Sequence, residues 1–380
     1  MGQAWASGRL PEPELDTNVL WANSVAKFAS GDESGSRLPE DVADFRERLA
    51  ALGEAVRGEA QLNNLGRAFA FGQLSRAITQ RLQLGRLWRE QPHLADIRLA
   101  PPIIVVGQMR SGTTRIHRLL AADPAHSGTR FCDAWNPVPP NRAWKPDLRP
   151  VKSALALLGA RRLNPWLDTL HPVSPRGPDE ELGWLASALD HSTYDTQWQV
   201  PSYTAFSEAR CHAPIYRELR RILATNAARS GTAHLPRVMK VPQFSEDLPE
   251  LLDQFPDARL VVAERRHDEV VRSAVSLVSN QMAMQSDNVD LDWLEREWER
   301  KVALREERSR RALANFDGPM VRLEFEALNG DWRAQLRRCY AALELPLSAL
   351  AMAAMEREHS RSAHGAHRHH AASYKNFNKG

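Results

Sequence analysis

The sequence predicts an α/β protein, a parallel β-sheet flanked by helices with a helical extension at its N-terminus, and three observations carry that prediction. Ile103-Ile104-Val105-Val106 is a short β-branched run of the kind that forms a central parallel strand. It leads through a glycine-bounded loop into a segment whose apolar positions Ile116, Leu119 and Leu120 share one helical face, ending near Asp123-Pro124. The same order recurs where Leu260-Val261-Val262 precedes a helix from Asp268, with Val270, Val271, Ala274, Val275 and Val278 turned inward. Two more short strands are expected at Val238-Met239-Lys240 and from Met320 to Leu323, and strands alternating with helices imply a sheet covered on both faces.

Residues 1–98 read as the helical extension. They are rich in Ala, Leu, Arg and Glu, and apolar residues recur at helical spacing from Val42 to Trp88, as at Phe45, Leu49, Leu52 and Val56. Pro101-Pro102 ends that pattern, and residues 99–358 form the α/β domain. Within it, Pro137 to Pro150 reads as an irregular loop and Trp293 to Ala314 as a long charged helix. Residues 359–380 form a basic, His-rich tail.

Composition narrows the function. With 380 residues, 43% of them hydrophobic, the chain can bury a sizeable core. A balance of 50 basic against 47 acidic side chains leaves a formal net charge of +3, which argues against a nucleic-acid partner and makes any anion site local. Cys132, Cys211 and Cys339 are far apart and in no metal-ligand spacing, as suits reduced thiols in the cytoplasm. The N-terminus has no basic region followed by an apolar core, so no export leader is expected. No apolar stretch approaches the ~18 residues of a spanning helix, so the expectation is a soluble protein, or one at most peripheral to a membrane.

Gly107-Gln108-Met109-Arg110-Ser111-Gly112-Thr113-Thr114 has the outline of a P-loop between strand and helix. Gly107 and Gly112 let the backbone curl so that N–H groups point inward, and the helix N-terminus adds partial positive charge. Thr113 and Thr114 supply hydroxyl donors. A nucleoside triphosphatase needs Lys at position 113 and a strand-end Asp for Mg²⁺. Here position 113 is Thr, and the cation is Arg110, inside the loop. The pattern suits a nucleotide handled without a metal.

These residues resemble the 5′-phosphosulfate loop of sulfotransferases, particularly the tyrosylprotein sulfotransferases and their bacterial relatives, which share the Arg-Ser-Gly-Thr-Thr form. The resemblance spans roughly residues 100 to 330 and implies the sulfotransferase fold, with 3′-phosphoadenosine 5′-phosphosulfate (PAPS) as donor. It places the donor phosphosulfate on Arg110, Ser111, Gly112, Thr113 and Thr114. Arg265-Arg266-His267-Asp268-Glu269-Val270-Val271-Arg272-Ser273 is similar to the family's 3′-phosphate motif, which implies that role for Arg265 and Ser273. A guanidinium at a strand end and a Ser beside a helix N-terminus suit a phosphate. Pro236 to Phe244 is similar to the segment that carries the family's catalytic lysine, which implies Lys240.

The base is less settled. Cytosolic sulfotransferases place a His two residues after that lysine, where this chain has Pro242. The tyrosylprotein branch uses a Glu after the loop helix, and the matching position here is Asp133, one methylene shorter. The stretch from His171 to Glu181 looks like an acidic substrate-side segment of the bacterial relatives and supplies Glu180, then His171, as further candidates. Where family members often have a Tyr, this chain has Phe325, which can stack but cannot hydrogen-bond.

The expected acceptor is a hydroxyl on a small, lipophilic molecule, with Trp144, Leu155, Leu157, Leu158, Trp166, Trp184 and Trp198 available to line a greasy pocket or, alternatively, a core. The N-terminal helices are candidates to cover that pocket or to form an oligomer face. The alternatives are a P-loop kinase or triphosphatase that has lost its lysine, and a non-catalytic nucleotide-binding protein on the same fold.

Overall fold

A computed structural model describes residues 2–140, 146–164 and 173–361. His171, Trp144, Trp166 and most of the His-rich tail therefore lie outside the described residues. Five parallel strands, β1 (Ile103–Val106), β2 (Ser127–Gly128), β3 (Arg237–Lys240), β4 (Arg259–Glu264) and β5 (Met320–Glu324), run in the order β2-β3-β1-β4-β5. Four of them fall where the sequence places them. The two-residue β2 carries no β-branched run to announce it. It exists because Ser127 N–H donates to Pro236 O at 2.9 Å and the pair Ser127–Gly128 then aligns with the start of β3.

Side chains alternate across each strand, and both faces are buried. Ile104, Val106, Met239, Leu260 and Val262 pack under the helices Ala213–Ser230 and Leu248–Gln254. Ile103, Val105, Val238, Val261 and Leu323 pack under Thr113–Ala121 and Trp332–Ala342. The chain leaves β1 for one side of the sheet and crosses back to β4 on the other. That reversal opens a crevice at the carboxyl end of β1, where ligands of such sheets bind.

The periodic stretch 42–88 is made of two helices, Pro39–Gly58 and Asn64–Glu90. The break between them is fixed by Asn63, whose side chain accepts from Gly66 N–H at 2.9 Å and caps the second helix. Phe45, Leu49, Leu52 and Val56 are buried with Leu74, Ile78 and Leu82, and with Trp198 and Tyr203 from beyond the P-loop. Leu84, Leu87 and Trp88 join the core under the sheet, where Trp88 Nε1 donates to Thr225 Oγ1 at 2.8 Å.

The long charged helix spans Leu291–Ala314 and turns a polar layer inward. Lys301 pairs with Asp195, and Arg305 Nε donates to Glu246 Oε2 at 3.1 Å. Burial alone would lower the pKa of neighbouring His212, but the Asp247 carboxylate, 2.9 Å from its Nδ1, overrides burial and raises it to about 9. Among the described residues no helix is long and apolar enough to cross a membrane.

Leu52 is fully buried between the N-terminal helices and the segment that carries Trp198 and Tyr203. Leu52→Ala is expected to lower the unfolding free energy by about 2–5 kcal/mol, as read from the midpoint of a urea titration.

Candidate active site

The loop after β1 curls as its glycines allow. Gly107 has φ +153° and Gly112 φ +87°; a Cβ on Gly107 would lie 2.7 Å from Ala263 O, and one on Gly112 would lie 3.0 Å from Phe325 Cδ2. Gly107 N–H donates to Ser245 Oγ at 3.1 Å, and Ser111 Oγ–H to Gln108 O at 2.6 Å. Gln108 Nε2 ties the loop to Val302 O of the long helix at 3.0 Å. Gly112 is the N-cap of Thr113–Ala121 and caps it with no side chain. The first-turn N–H groups at Thr113 and Thr114 lack intrahelical acceptors and face the crevice end of the helix.

Arg110 has φ +68°, a left-handed conformation that costs a non-glycine residue about 1–2 kcal/mol. Two contacts hold it there. Its carbonyl accepts from Arg265 Nη1 at 2.8 Å, and its Nε donates to Ser273 Oγ at 3.0 Å. Arg265 also donates to Glu269 Oε2 at 2.8 Å and lies 4.2 Å from the Phe325 ring centroid. The position where Tyr was expected thus stacks a guanidinium and closes over Gly112. The two sequence blocks, 107–114 and 265–273, form one basic cradle.

Lys240 completes it. Alternation along β3 sends its side chain to the face covered by the loop helix, where Nζ donates to Thr114 Oγ1 at 3.1 Å and pairs with Glu180. Its backbone N–H donates to Glu181 Oε2 at 3.0 Å. Glu181 Oε1 accepts from Thr129 Oγ1 at 2.6 Å, and Thr129 Oγ1 accepts from Arg237 Nη1 at 3.1 Å. Burial pushes the Glu181 carboxyl up to about 7. His117, one helical turn from Thr114, is held down at about 3 by burial and then by the Lys240 ammonium, so it is neutral.

Asp133 sits elsewhere. It lies on the short helix Phe131–Trp135, clamped by Arg130 at 2.6 and 2.9 Å and by Arg149 at 3.0 Å. It lines a cleft of about 540 Å³ with Pro137, Pro139 and Arg237. Among the described residues, its carboxylate contacts are with Arg130, Arg149 and the Cys132 thiol, whereas Glu180 is the acid beside Lys240. Sequence reasoning missed Glu181, Thr129 and Ser245. The doublet Glu180-Glu181 was visible, but nothing in it shows that one carboxylate faces the crevice and its neighbour is buried.

Of the residues proposed for a greasy pocket, the described ones do not converge, while Trp144 and Trp166 lie outside the described residues. Trp184 and Trp198 are core, with their Nε1 groups donating at 2.8 Å to Asp133 O and Gln285 Oε1, Leu157 points inward, and Leu155 and Leu158 point to solvent. Among the described residues, His191, Glu208 and Glu246 bring potential metal-ligand atoms within 4.8 Å of one another. Arg305 and Lys301 already neutralise this group: Arg305 pairs with Glu246, and Lys301 lies 3.7 Å from Glu208.

The site is a glycine-bounded curl at the switch point of a parallel sheet with Arg110, Arg265 and Lys240 gathered around it, the form of an anion-binding loop. A family model described as the sulfotransferase family matches residues 101–349, and the chain belongs to that family. It is similar to the crystal structure of sulfotransferase STF1 from Mycobacterium tuberculosis H37Rv, with a TM-score of 0.78 and 26% identity over 90% of this chain and 94% of that one. It shares its fold with sulfotransferase STF9 from Mycobacterium avium, with a TM-score of 0.76 and 23% identity over 90% and 87% of the two chains. A search of curated proteins finds no significant match.

Glu181 gives a signed pH prediction. Its folded pKa of about 7 lies above the ordinary 4.5, so between these values the folded state holds a proton that the unfolded chain has lost. Its contribution to stability therefore falls as pH rises through that window, by about 3 kcal/mol, and is level above it. Urea unfolding at about pH 5 and about pH 8 should show wild type losing stability relative to Glu181→Gln. Parallel curves would mean that Glu181 is already ionised in the fold at the lower pH.

Proposed function

We propose that this sulfotransferase moves a sulfuryl group from PAPS to a hydroxyl of a small, lipophilic acceptor by in-line displacement, without a metal. The observation that carries the reading is the convergence of Arg110, Arg265, Ser273 and Lys240 around one curled loop. Ser111, Gly112, Thr113 and Thr114 hold the 5′-phosphosulfate through N–H and hydroxyl donors, and Arg265 with Ser273 holds the 3′-phosphate. Arg110 and Lys240 supply the positive charge that a triphosphatase takes from Mg²⁺ and its lysine.

Glu180 is the base in this mechanism, in preference to Asp133. In the ligand-free site Lys240 shares itself between Thr114 and Glu180. When the donor arrives, Lys240 turns to the leaving phosphate oxygen and Glu180 is freed to take the acceptor proton. The acceptor oxygen–sulfur bond forms as the sulfur–phosphate oxygen bond breaks, and 3′,5′-bisphosphoadenosine leaves. Asp133 is less suited because both of its oxygens are already held by Arg130 and Arg149.

Calorimetry should show binding of 3′,5′-bisphosphoadenosine and none of ATP with Mg²⁺; the opposite result would replace sulfotransfer with triphosphate chemistry. With labelled donor and a panel of alcohols, Arg110→Ala should cost about 10²- to 10³-fold in kcat. Glu180→Gln should cost about 10²- to 10⁴-fold while bisphosphate affinity is kept. Asp133→Asn should retain far more activity than Glu180→Gln, and a reversed order would return the base to Asp133. Addition of EDTA should leave the rate unchanged. Binding without transfer to any alcohol would indicate a non-catalytic nucleotide-binding protein.

A further inference from the structure

The helix Arg149–Leu163 has its large apolar residues on the wrong side for a core helix. Toward the protein it presents Pro150, Ser153 and Leu157; toward solvent it presents Val151, Leu155 and Leu158, which are 55%, 65% and 54% exposed. At 3.6 residues per turn these three lie within roughly 60° of one another, and Leu148 extends the stripe at one end. Five of the eleven large exposed hydrophobics among the described residues, Leu148, Val151, Leu155, Leu158 and Leu163, fall on this one segment. Four of these five, Leu148, Val151, Leu155 and Leu158, share one helical face, a stripe rather than the scattered apolar exposure of an ordinary surface.

Charge identifies what the patch suits. Every ionisable side chain from 149 to 163 is basic: Arg149, Lys152, Arg161 and Arg162. Arg149 is held by Asp133 and Asp147, and Arg161 Nη2 donates to Val173 O at 2.9 Å. Lys152 and Arg162 are exposed, Lys152 to one side of the apolar stripe and Arg162 at its C-terminal end. A second copy packed on this face through a two-fold axis would bring cations against the same cations. An anionic lipid leaflet instead accepts the stripe at its acyl boundary and the cations at its phosphates.

We propose that the outward face of Arg149–Leu163 docks this protein on the surface of an anionic bilayer. The helix lies in the interface plane, with Val151, Leu155 and Leu158 toward the acyl region and Lys152 and Arg162 at the headgroups. The proposal does not rest on the reaction assigned above, and its test reads no turnover.

The full-length protein is sedimented with vesicles of phosphatidylcholine alone or mixed equally with phosphatidylglycerol, at low and high salt. The mixed vesicles should carry it down at least about tenfold better than the neutral ones, and salt should release much of it. Leu155→Asp combined with Leu158→Asp, and separately Lys152→Glu combined with Arg162→Glu, should each lower the bound fraction at least about fivefold. Circular dichroism and the thermal midpoint check that the variants fold; should the leucine pair fail to fold, the charge pair decides alone. Absence of sedimentation with either vesicle, or binding unchanged in the folded variants, overturns the proposal. So does light scattering that shows a dimer, lost in Leu155→Asp, with no vesicle binding: the face would then join two copies.

Discussion

Arg110, Arg265 and Lys240 converge on one loop, yet cations gathered without a ligand repel one another and tend to stay hydrated. The site resolves this by giving each cation a local partner. Arg265 rests on Glu269 and the Phe325 ring, and Lys240 on Glu180 and Thr114, while Arg110 is turned through a left-handed backbone so that its carbonyl and its Nε are both bonded to the second block. The curl at 107–112 depends on these contacts as much as on its glycines. The strand-end arginine and the helix serine help to hold Arg110 in its strained conformation.

The same arrangement links binding to chemistry. Any ligand that recruits the Lys240 ammonium must take it from Glu180 and Thr114, so binding there would free the Glu180 carboxylate in the same exchange. Beneath them, Arg237, Thr129 and Glu181 form a buried chain that ends on the Lys240 backbone N–H. This chain fixes the end of β3, and with it the point from which the Lys240 side chain reaches Thr114. The short β2 serves the same purpose, since pairing with β3 brings Thr129 to Glu181.

Much of the fold was legible because central strands buried on both faces leave dense β-branched runs, as at 103–106 and 260–262, and the helices after them keep a strict apolar face. β2 was not legible: Ser-Gly has no strand preference, and its extended form is imposed by the neighbour. The break at 59–63 was hidden because the apolar spacing on either side of it continues nearly in phase. The sequence left open whether the tryptophan-rich stretches line a pocket or a core. Large aromatic residues mark burial, and Trp184 and Trp198 are buried in cores, whereas Leu155 and Leu158 face outward.

By itself the sequence determined the curl of the loop. Gly107, Arg110, Gly112, Thr113 and Thr114 lie close enough in the chain for backbone geometry and a helix end to make an anion cradle from local residues. Which carboxylate stands beside the lysine was decided by tertiary structure alone. Asp133, Glu180 and Glu181 are equivalent as isolated acids. Only folding sends Asp133 between two arginines, buries Glu181 under the sheet edge and leaves Glu180 against Lys240, because side-chain environment is set by residues distant in sequence.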